Sequence, residues 1–390
     1  MKRSLIIVAL SVLANAGAQE IPRGESAARP VAPASDGTNE DALAVKVADG
    51  YFRVALNEAR QGDFLGASND ITQVLALRPR LAEAWRLRGE VRQSLDDLDG
   101  ALSDFNQALA LNPKLAAAYV SRGVVKRINE DLAGALADFN QGLALKPNYA
   151  PAYFHRGVAR GAGGDYDAAM EDYNKAIDLN PQYADCHRVR GMARAGLGDA
   201  AGALADVNTA LDLNPRYALG YESRGVLRYG AQDFPGALAD FRKFCELDQT
   251  RTEYYARFHI WLIRSRMGEA APATAELRAY MQDHPARKRE VWPAKIAHFL
   301  TGDLPEAELL QAADDPDAKK SRAHHCEAWF YAGSARLLAG DPAGARENFN
   351  QCVATQEKAY IEYLDAVAEL KYLPAAGYNA SGDAKHLRIK

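Results

Sequence analysis

Two columns of charge repeat along this chain at one fixed interval. Arg88, Arg122, Arg156, Arg190 and Arg224 form the first, each followed four residues later by a second cation, Arg92, Lys126, Arg160, Arg194 or Arg228. Residues four apart share one face of a helix, so each pair presents two cations side by side. A column of carboxylates, Asp104, Asp138, Asp172, Asp206 and Asp240, keeps the same interval. Equal periods predict that every arginine meets an aspartate of its own or the adjacent repeat, forming a structural ladder of partly buried ion pairs between helices. The alternative, an anion-binding stripe, requires the aspartates to lie elsewhere. Removing one partner of a buried pair costs about 3–5 kcal/mol.

Other reactive residue types are sparse. His324-His325-Cys326-Glu327 is the cluster closest to a set of metal ligands, but adjacent helical residues point about 100° apart and no second ligand pair stands at a zinc-like spacing. No metal and no cofactor is expected. Gly161 to Gly164 is glycine-rich, yet Asp165 follows it and would repel phosphate, so it reads as a turn. No nucleophile elbow, phosphate loop, metalloprotease helix or kinase motif is present, and catalytic residues are not expected. The four cysteines are Cys186, Cys245, Cys326 and Cys352. Cys326 would open the first helix of the last repeat and Cys352 would lie near the end of its second helix. Antiparallel packing brings those ends together, so a disulfide between Cys326 and Cys352 is geometrically open; Cys186 and Cys245 are expected to remain thiols.

The elements that must position these residues follow from the interval itself. Pro79, Pro113, Pro147, Pro181 and Pro215 recur every 34 residues. Gly89, Gly123, Gly157, Gly191 and Gly225 keep the same step, as do Ala101, Ala135, Ala169, Ala203 and Ala237. Large residues fill a further column, Phe105, Phe139, Tyr173, Val207 and Phe241, and another opens each unit with Trp85, Tyr119, Tyr153, His187 and Tyr221. Small residues let two helices approach, the large one fills the space beneath, and proline stops the second helix. A period of 34 in these residue types resembles the tetratricopeptide repeat (TPR) family very closely. The resemblance implies an all-α fold: a right-handed superhelical solenoid of antiparallel helix pairs, closed by a C-terminal capping helix.

Repeats are expected at 48–81, 82–115, 116–149, 150–183, 184–217 and 218–251, so that 48–251 holds six. From 252 to 373 the register slips by about two and the pattern weakens. Gly268, Ala273 and Pro285 mark one repeat, Gly302 and Ala307 a shortened one, and Gly333, Gly340, Ala345 and Phe349 a clear last one. A helix over about Ala359 to Leu373 would cap the stack, and 374–390 is expected to be a disordered tail.

The amino terminus carries a different signal. Met1-Lys2-Arg3 is basic, Leu5 to Leu13 is apolar, and Ala14-Asn15-Ala16-Gly17-Ala18-Gln19 has the small-residue pattern of a cleavage site, so 1–18 reads as a signal peptide. A membrane anchor would need about 20 apolar residues. The proline- and glycine-containing stretch 19–47 reads as a flexible linker. The mature chain is therefore expected in the periplasm or secreted, without direct membrane insertion. With 48% hydrophobic and 25% charged residues the chain has apolar material for a large core, and its net charge of −4 without a basic run argues against a nucleic-acid partner.

The carboxy-terminal third, with Cys326-Glu327-Ala328-Trp329-Phe330-Tyr331-Ala332-Gly333, Ala345, Phe349, Tyr360-Ile361-Glu362-Tyr363 and Ala368-Glu369-Leu370, also resembles NlpI-type periplasmic TPR proteins. That likeness implies an adaptor bringing cell-wall hydrolases to a processing protease, working as a homodimer and tethered by a lipidated cysteine. No cysteine precedes Cys186, so that tether has no counterpart here, and homodimerisation is left open.

In TPR proteins the concave face is lined by fixed positions of the first helix of each repeat. Carried onto this chain, those positions are Arg86, Glu90, Arg127, Phe154, His155, Arg188, Met192, Glu222, Val226 and Tyr229, over an apolar floor of Val124, Val158, Met192 and Val226. Such a groove suits an extended or helical peptide segment of another protein. The asparagine and lysine pattern that clamps a free C-terminal carboxylate is missing. The expected function is a non-enzymatic scaffold or adaptor for protein–protein interactions in the bacterial cell envelope; the alternative is a structural subunit of an envelope or secretion assembly, in which the solenoid edge matters more than the groove.

Overall fold

A computed structural model describes residues 40–248, 253–283, 291–358 and 360–373. The expected signal segment 1–18 and tail 374–390 lie outside the described residues, as does the expected linker up to residue 39. Residues 40–47 of that linker are instead helical. Glu40-Asp41-Ala42-Leu43-Ala44-Val45-Lys46-Val47 has no proline or glycine to stop a helix, and Val47 and Ala48 are buried. The first described helix, α1, thus runs over Glu40–Gln61.

The chain divides into two compact units, Met1–Cys186 and His187–Lys390. In the first, α1 is followed by α2 (Phe64–Leu77), α3 (Ala82–Ser94), α4 (Leu98–Leu111), α5 (Ala116–Ile128), α6 (Leu132–Leu145), α7 (Ala150–Ala162) and α8 (Tyr166–Leu179). Consecutive helices pair as α1 with α2, α3 with α4, α5 with α6 and α7 with α8; α3 also meets α5, and α5 meets α7. Because first helices touch one another along the stack, they form its inner layer. Helices α3, α5 and α7 begin at the expected repeat boundaries 82, 116 and 150.

The repeat columns explain the pairing. A Cβ at Gly123 would stand 2.7 Å from the Phe139 ring and one at Gly157 2.7 Å from Tyr173, so only glycine lets the second helix come this close. Phe105, Phe139, Ala101 and Ala135 are fully buried. Each second helix starts on an aspartate: Asp63, Asp97, Asp131 and Asp165 accept a hydrogen bond from the backbone N–H three residues on, at 2.8–3.2 Å, the usual satisfaction of a helix N-terminus. The residue before each cap is left-handed, with φ between 64° and 86° at Gly62, Asp96, Glu130 and Gly164.

The division between the units falls within α9 (Ala184–Gly196). The second unit continues through α10 (Ala200–Leu213), α11 (Ala218–Gly230), α12 (Phe234–Leu247), α13 (Tyr254–Arg266), α14 (Ala270–Asp283), α15 (Val291–Leu300), α16 (Glu306–Ala312), α17 (Ala318–Leu338), α18 (Pro342–Ala354) and α19 (Ile361–Tyr372). The shortened repeat is α15 with α16, and the last repeat is α17 with α18. One apolar core joins Phe241, Phe244, Phe258, Leu262, Ile263, Ile296, Phe330, Tyr331 and Phe349. Helix α19 packs on α18, as a capping helix would, and also against α17 and α11.

Candidate functional site

The charged columns form closed pairs. Arg88, Arg122, Arg156, Arg190 and Arg224 each donate through Nε and Nη2 to both oxygens of Asp104, Asp138, Asp172, Asp206 and Asp240, at 2.6–3.0 Å. Every pair lies within one repeat, on facing helices. The second cation, Arg92, Lys126, Arg160, Arg194 or Arg228, reaches the same aspartate at 2.7–3.0 Å. Arg122, Arg156 and Arg224 also donate to Asn106, Asn140 and Asn208 of the preceding repeat. The aromatic column covers the guanidinium groups, with Trp85, Tyr119, Tyr153 and Tyr221 lying 4.7–5.5 Å from them. All five aspartates are at most 4% exposed, so the ladder presents no free anion stripe.

The ten expected groove residues divide into three groups. Phe154 is fully buried, packed on Tyr183 at 5.0 Å and Tyr173 at 6.4 Å, and Val226 is buried, as is Val124 of the expected floor beside the ten. Phe154 is thus a core residue rather than a ligand contact, because the aromatic cluster beneath α7 has room for its ring. A second group is engaged by its own neighbours. Arg86 pairs with Glu83 and Glu90, and Glu90 also accepts from Ser121 Oγ at 2.8 Å. Arg188 donates to Tyr217 and Ser223, Met192 packs at the edge of the second unit's core, and burial pushes the Glu222 carboxyl up to about 7 against the pull of Arg188.

The third group holds Tyr229, Arg127 and His155, all buried. Tyr229 is covered from within the second unit by α19. Its hydroxyl donates to Glu369 Oε1 at 2.6 Å, and Arg266 stands 2.7 Å from the same oxygen. One turn earlier on α19, Asp365 Oδ2 is 2.8 Å from His259 Nε2, whose Nδ1 faces the Tyr255 carbonyl at 2.7 Å. Burial opposes charge on His259, but the hydrogen bond and negative charge of Asp365 outweigh it and raise its pKa. Glu362, a turn earlier again, accepts from Tyr331. The acidic stripe of α19 therefore docks on α11, α13 and α17 like a bound peptide helix. Sequence reasoning missed His259, Arg266, Asp365 and Glu369; the readable signal was the spacing of Glu362, Asp365 and Glu369 on one helical face.

Arg127 and His155, in the first unit, are equally buried, at 2% and 0% exposed. Arg127 Nε and Nη2 and both ring nitrogens of His155 are buried without a hydrogen-bond partner. Burial pulls the Arg127 pKa down to about 10. Burial, with the nearby Arg127 charge adding to it, holds His155 down to about 3. Unpaired buried polar atoms cost free energy that a ligand carboxylate would return.

The carboxy-terminal cluster disperses. His324 stacks on Trp292 at 4.3 Å, His325 Nδ1 faces the Ser321 carbonyl at 2.8 Å, and Glu327 accepts from Tyr255 and Trp292 at 2.7 Å. Cys326 is not at the start of its helix, since α17 extends back to Ala318. It still meets Cys352, with Sγ atoms 3.5 Å apart and both residues fully buried as thiols. The hydrogen bond between them, and then burial, raise the Cys352 pKa. Among the described residues no helix is long and apolar enough to cross a membrane.

Comparison with known proteins places tetratricopeptide repeats in the chain: models described as "Tetratricopeptide repeat" match residues 82–115, 150–183 and 188–251. Among solved structures, the anaphase-promoting-complex hetero-tetramer Cut9–Hcn1 aligns over 86% of this chain and 56% of its own at 15% identity, with a TM-score of 0.52. That likeness supports the helical-repeat fold. MamA aligns over 44% of this chain and 93% of its own at 24% identity and a TM-score of 0.35. A thermophilic TPR protein of Thermus thermophilus aligns over 43% and 92% at 20% identity and a TM-score of 0.41.

Proposed function

We propose that this protein is an exported, non-enzymatic adaptor of the bacterial cell envelope that binds segments of other proteins on its first-helix face. TPR arrays are protein-binding scaffolds, and the repeats here support that coarser reading. The single observation that carries the binding reading is the docking of α19 on α11, α13 and α17, with Glu369 on Tyr229 and Asp365 on His259: this repeat surface accepts a helix through its acidic face. The amino-terminal signal pattern supports the envelope location. The narrower reading is that the partners are cell-wall hydrolases and a protease, bridged by one scaffold.

Partner capture tests it. The chain from Gln19 is immobilised, exposed to envelope extract, and its partners identified by mass spectrometry. Recovery of a protease together with a hydrolase supports the bridging role. Recovery only of subunits of one large assembly replaces it with a structural role, and recovery of nothing removes the adaptor reading.

A further inference from the structure

The two units carry the same pair of positions in different states. Arg127 is the twelfth residue of α5 (116–128) and Tyr229 the twelfth of α11 (218–230); His155 is the sixth of α7 (150–162) and His259 the sixth of α13 (254–266). The supporting ring is equivalent too. Phe139 and Phe241 are each the eighth residue of the intervening second helix, and each stacks on its histidine, at 6.1 Å and 20° in one unit and 4.8 Å and 27° in the other. In the second unit carboxylates stand at these positions: Glu369 accepts from Tyr229 and lies 2.7 Å from Arg266 Nη2, an ion pair not aligned as a hydrogen bond, and Asp365 meets His259. In the first unit both are empty-handed.

The cation is kept although its source moves. Arg266, the thirteenth residue of α13, supplies it in the second unit, where Ala162 holds the thirteenth position of α7 in the first. Arg127 stands in place of Tyr229 and restores the positive charge from the neighbouring helix. A buried guanidinium without a carboxylate is a costly arrangement for a purely structural residue. It is the arrangement a binding site needs, since the penalty is relieved when ligand arrives.

We propose that Arg127 and His155 form a carboxylate-binding subsite for an acidic amphipathic helix of a partner protein, one carrying two carboxylates four residues apart as Asp365 and Glu369 are. The carboxylate equivalent to Glu369 pairs with Arg127, and the one equivalent to Asp365 hydrogen-bonds His155. This rests on the protein-binding reading above and names the chemistry of the ligand.

The test uses the full chain and a fluorescein-labelled peptide spanning Tyr360–Leu373 as the acidic-helix probe, with a D365N/E369Q peptide as its neutral counterpart, followed by anisotropy. The acidic peptide is expected to bind, the neutral peptide and the Arg127→Met protein to bind at least about tenfold more weakly, since truncating one member of a desolvated charge pair costs that or more. Equal binding of both peptides, unchanged binding by R127M, or no binding at all overturns the proposal. The peptide also matches the site that α19 fills, so the difference between wild type and Arg127→Met carries the assignment, and His155→Phe, which keeps a ring against Phe139, is the second variant where Arg127→Met is poorly folded. Capture from envelope extract separates the two readings: equal recovery of partners by wild type and R127M keeps the adaptor and removes this subsite, whereas recovery by neither removes the adaptor.

Discussion

Tyr229 Oη and Glu369 Oε1 stand 2.6 Å apart across 140 residues of sequence, and Arg266 meets the same carboxylate. This contact ties the last described helix to the first-helix surface of repeat 6. Replacing Glu369 with alanine leaves the Tyr229 hydroxyl without its acceptor and the buried Arg266 without its counter-charge, at a cost of about 2–4 kcal/mol. Hydrogen exchange across α19 should then rise well before the rest of the unit opens; unchanged protection of α19 would mean that apolar contacts alone hold it.

The same interface sets a pH dependence. The His259 pKa is raised in the folded chain, so the stability it contributes is complete below the unfolded value of about 6.5 and is lost as pH rises through the folded value. Glu222, pushed up to about 7 by burial, acts in the same direction, since ionising it in the fold is disfavoured. Asp365, Glu362 and Glu222 are the acids that act on this histidine. The urea midpoint of the chain is expected to fall as pH rises above about 6.5, and His259→Gln to flatten that change.

Asp172 binds Arg156 and Arg160 together while only 2% exposed. Asp172→Ala strands two cations and should destabilise by about 3 kcal/mol, while Asp172→Asn, which still accepts, should cost less. A urea-unfolding midpoint no lower than wild type for D172A would show that water reaches and solvates the arginines.

Arg127 predicts a change of the opposite sign. Arg127→Met removes an unpaired buried charge and keeps an apolar stem of similar length, so the chain is expected to gain about 1–3 kcal/mol while losing acidic-helix binding. Stability gained at a residue where binding is lost is the mark of a functional rather than structural side chain. Loss of stability in calorimetry would assign Arg127 to the scaffold.

Cys326 and Cys352 lie with sulfurs 3.5 Å apart. Glutathione disulfide present while the chain refolds should close this pair by thiol–disulfide exchange, releasing two glutathione thiols. Peptide mapping is expected to find the Cys326–Cys352 link, and the oxidised chain should resist urea by about 3 kcal/mol more, for a loop of this length.

The sequence by itself determined the scaffold. Pairing of Arg88 with Asp104, the glycine under each Phe139-type ring and the repeat boundaries at 82, 116 and 150 are short-range contacts inside one helix pair, so they recur at the interval of the pair and are readable as columns. It also located Arg127, His155 and Tyr229 on the first-helix face, through the family resemblance. Only the tertiary structure decided their states. Phe154 occupies the same face yet is core, because burial depends on which neighbouring rings leave room. Tyr229 is bonded and Arg127 is not, because the acidic stripe of α19 returns to repeat 6 from more than a hundred residues away. A contact made once, between elements that distant, leaves no period in the sequence; it is set by how the helices stack.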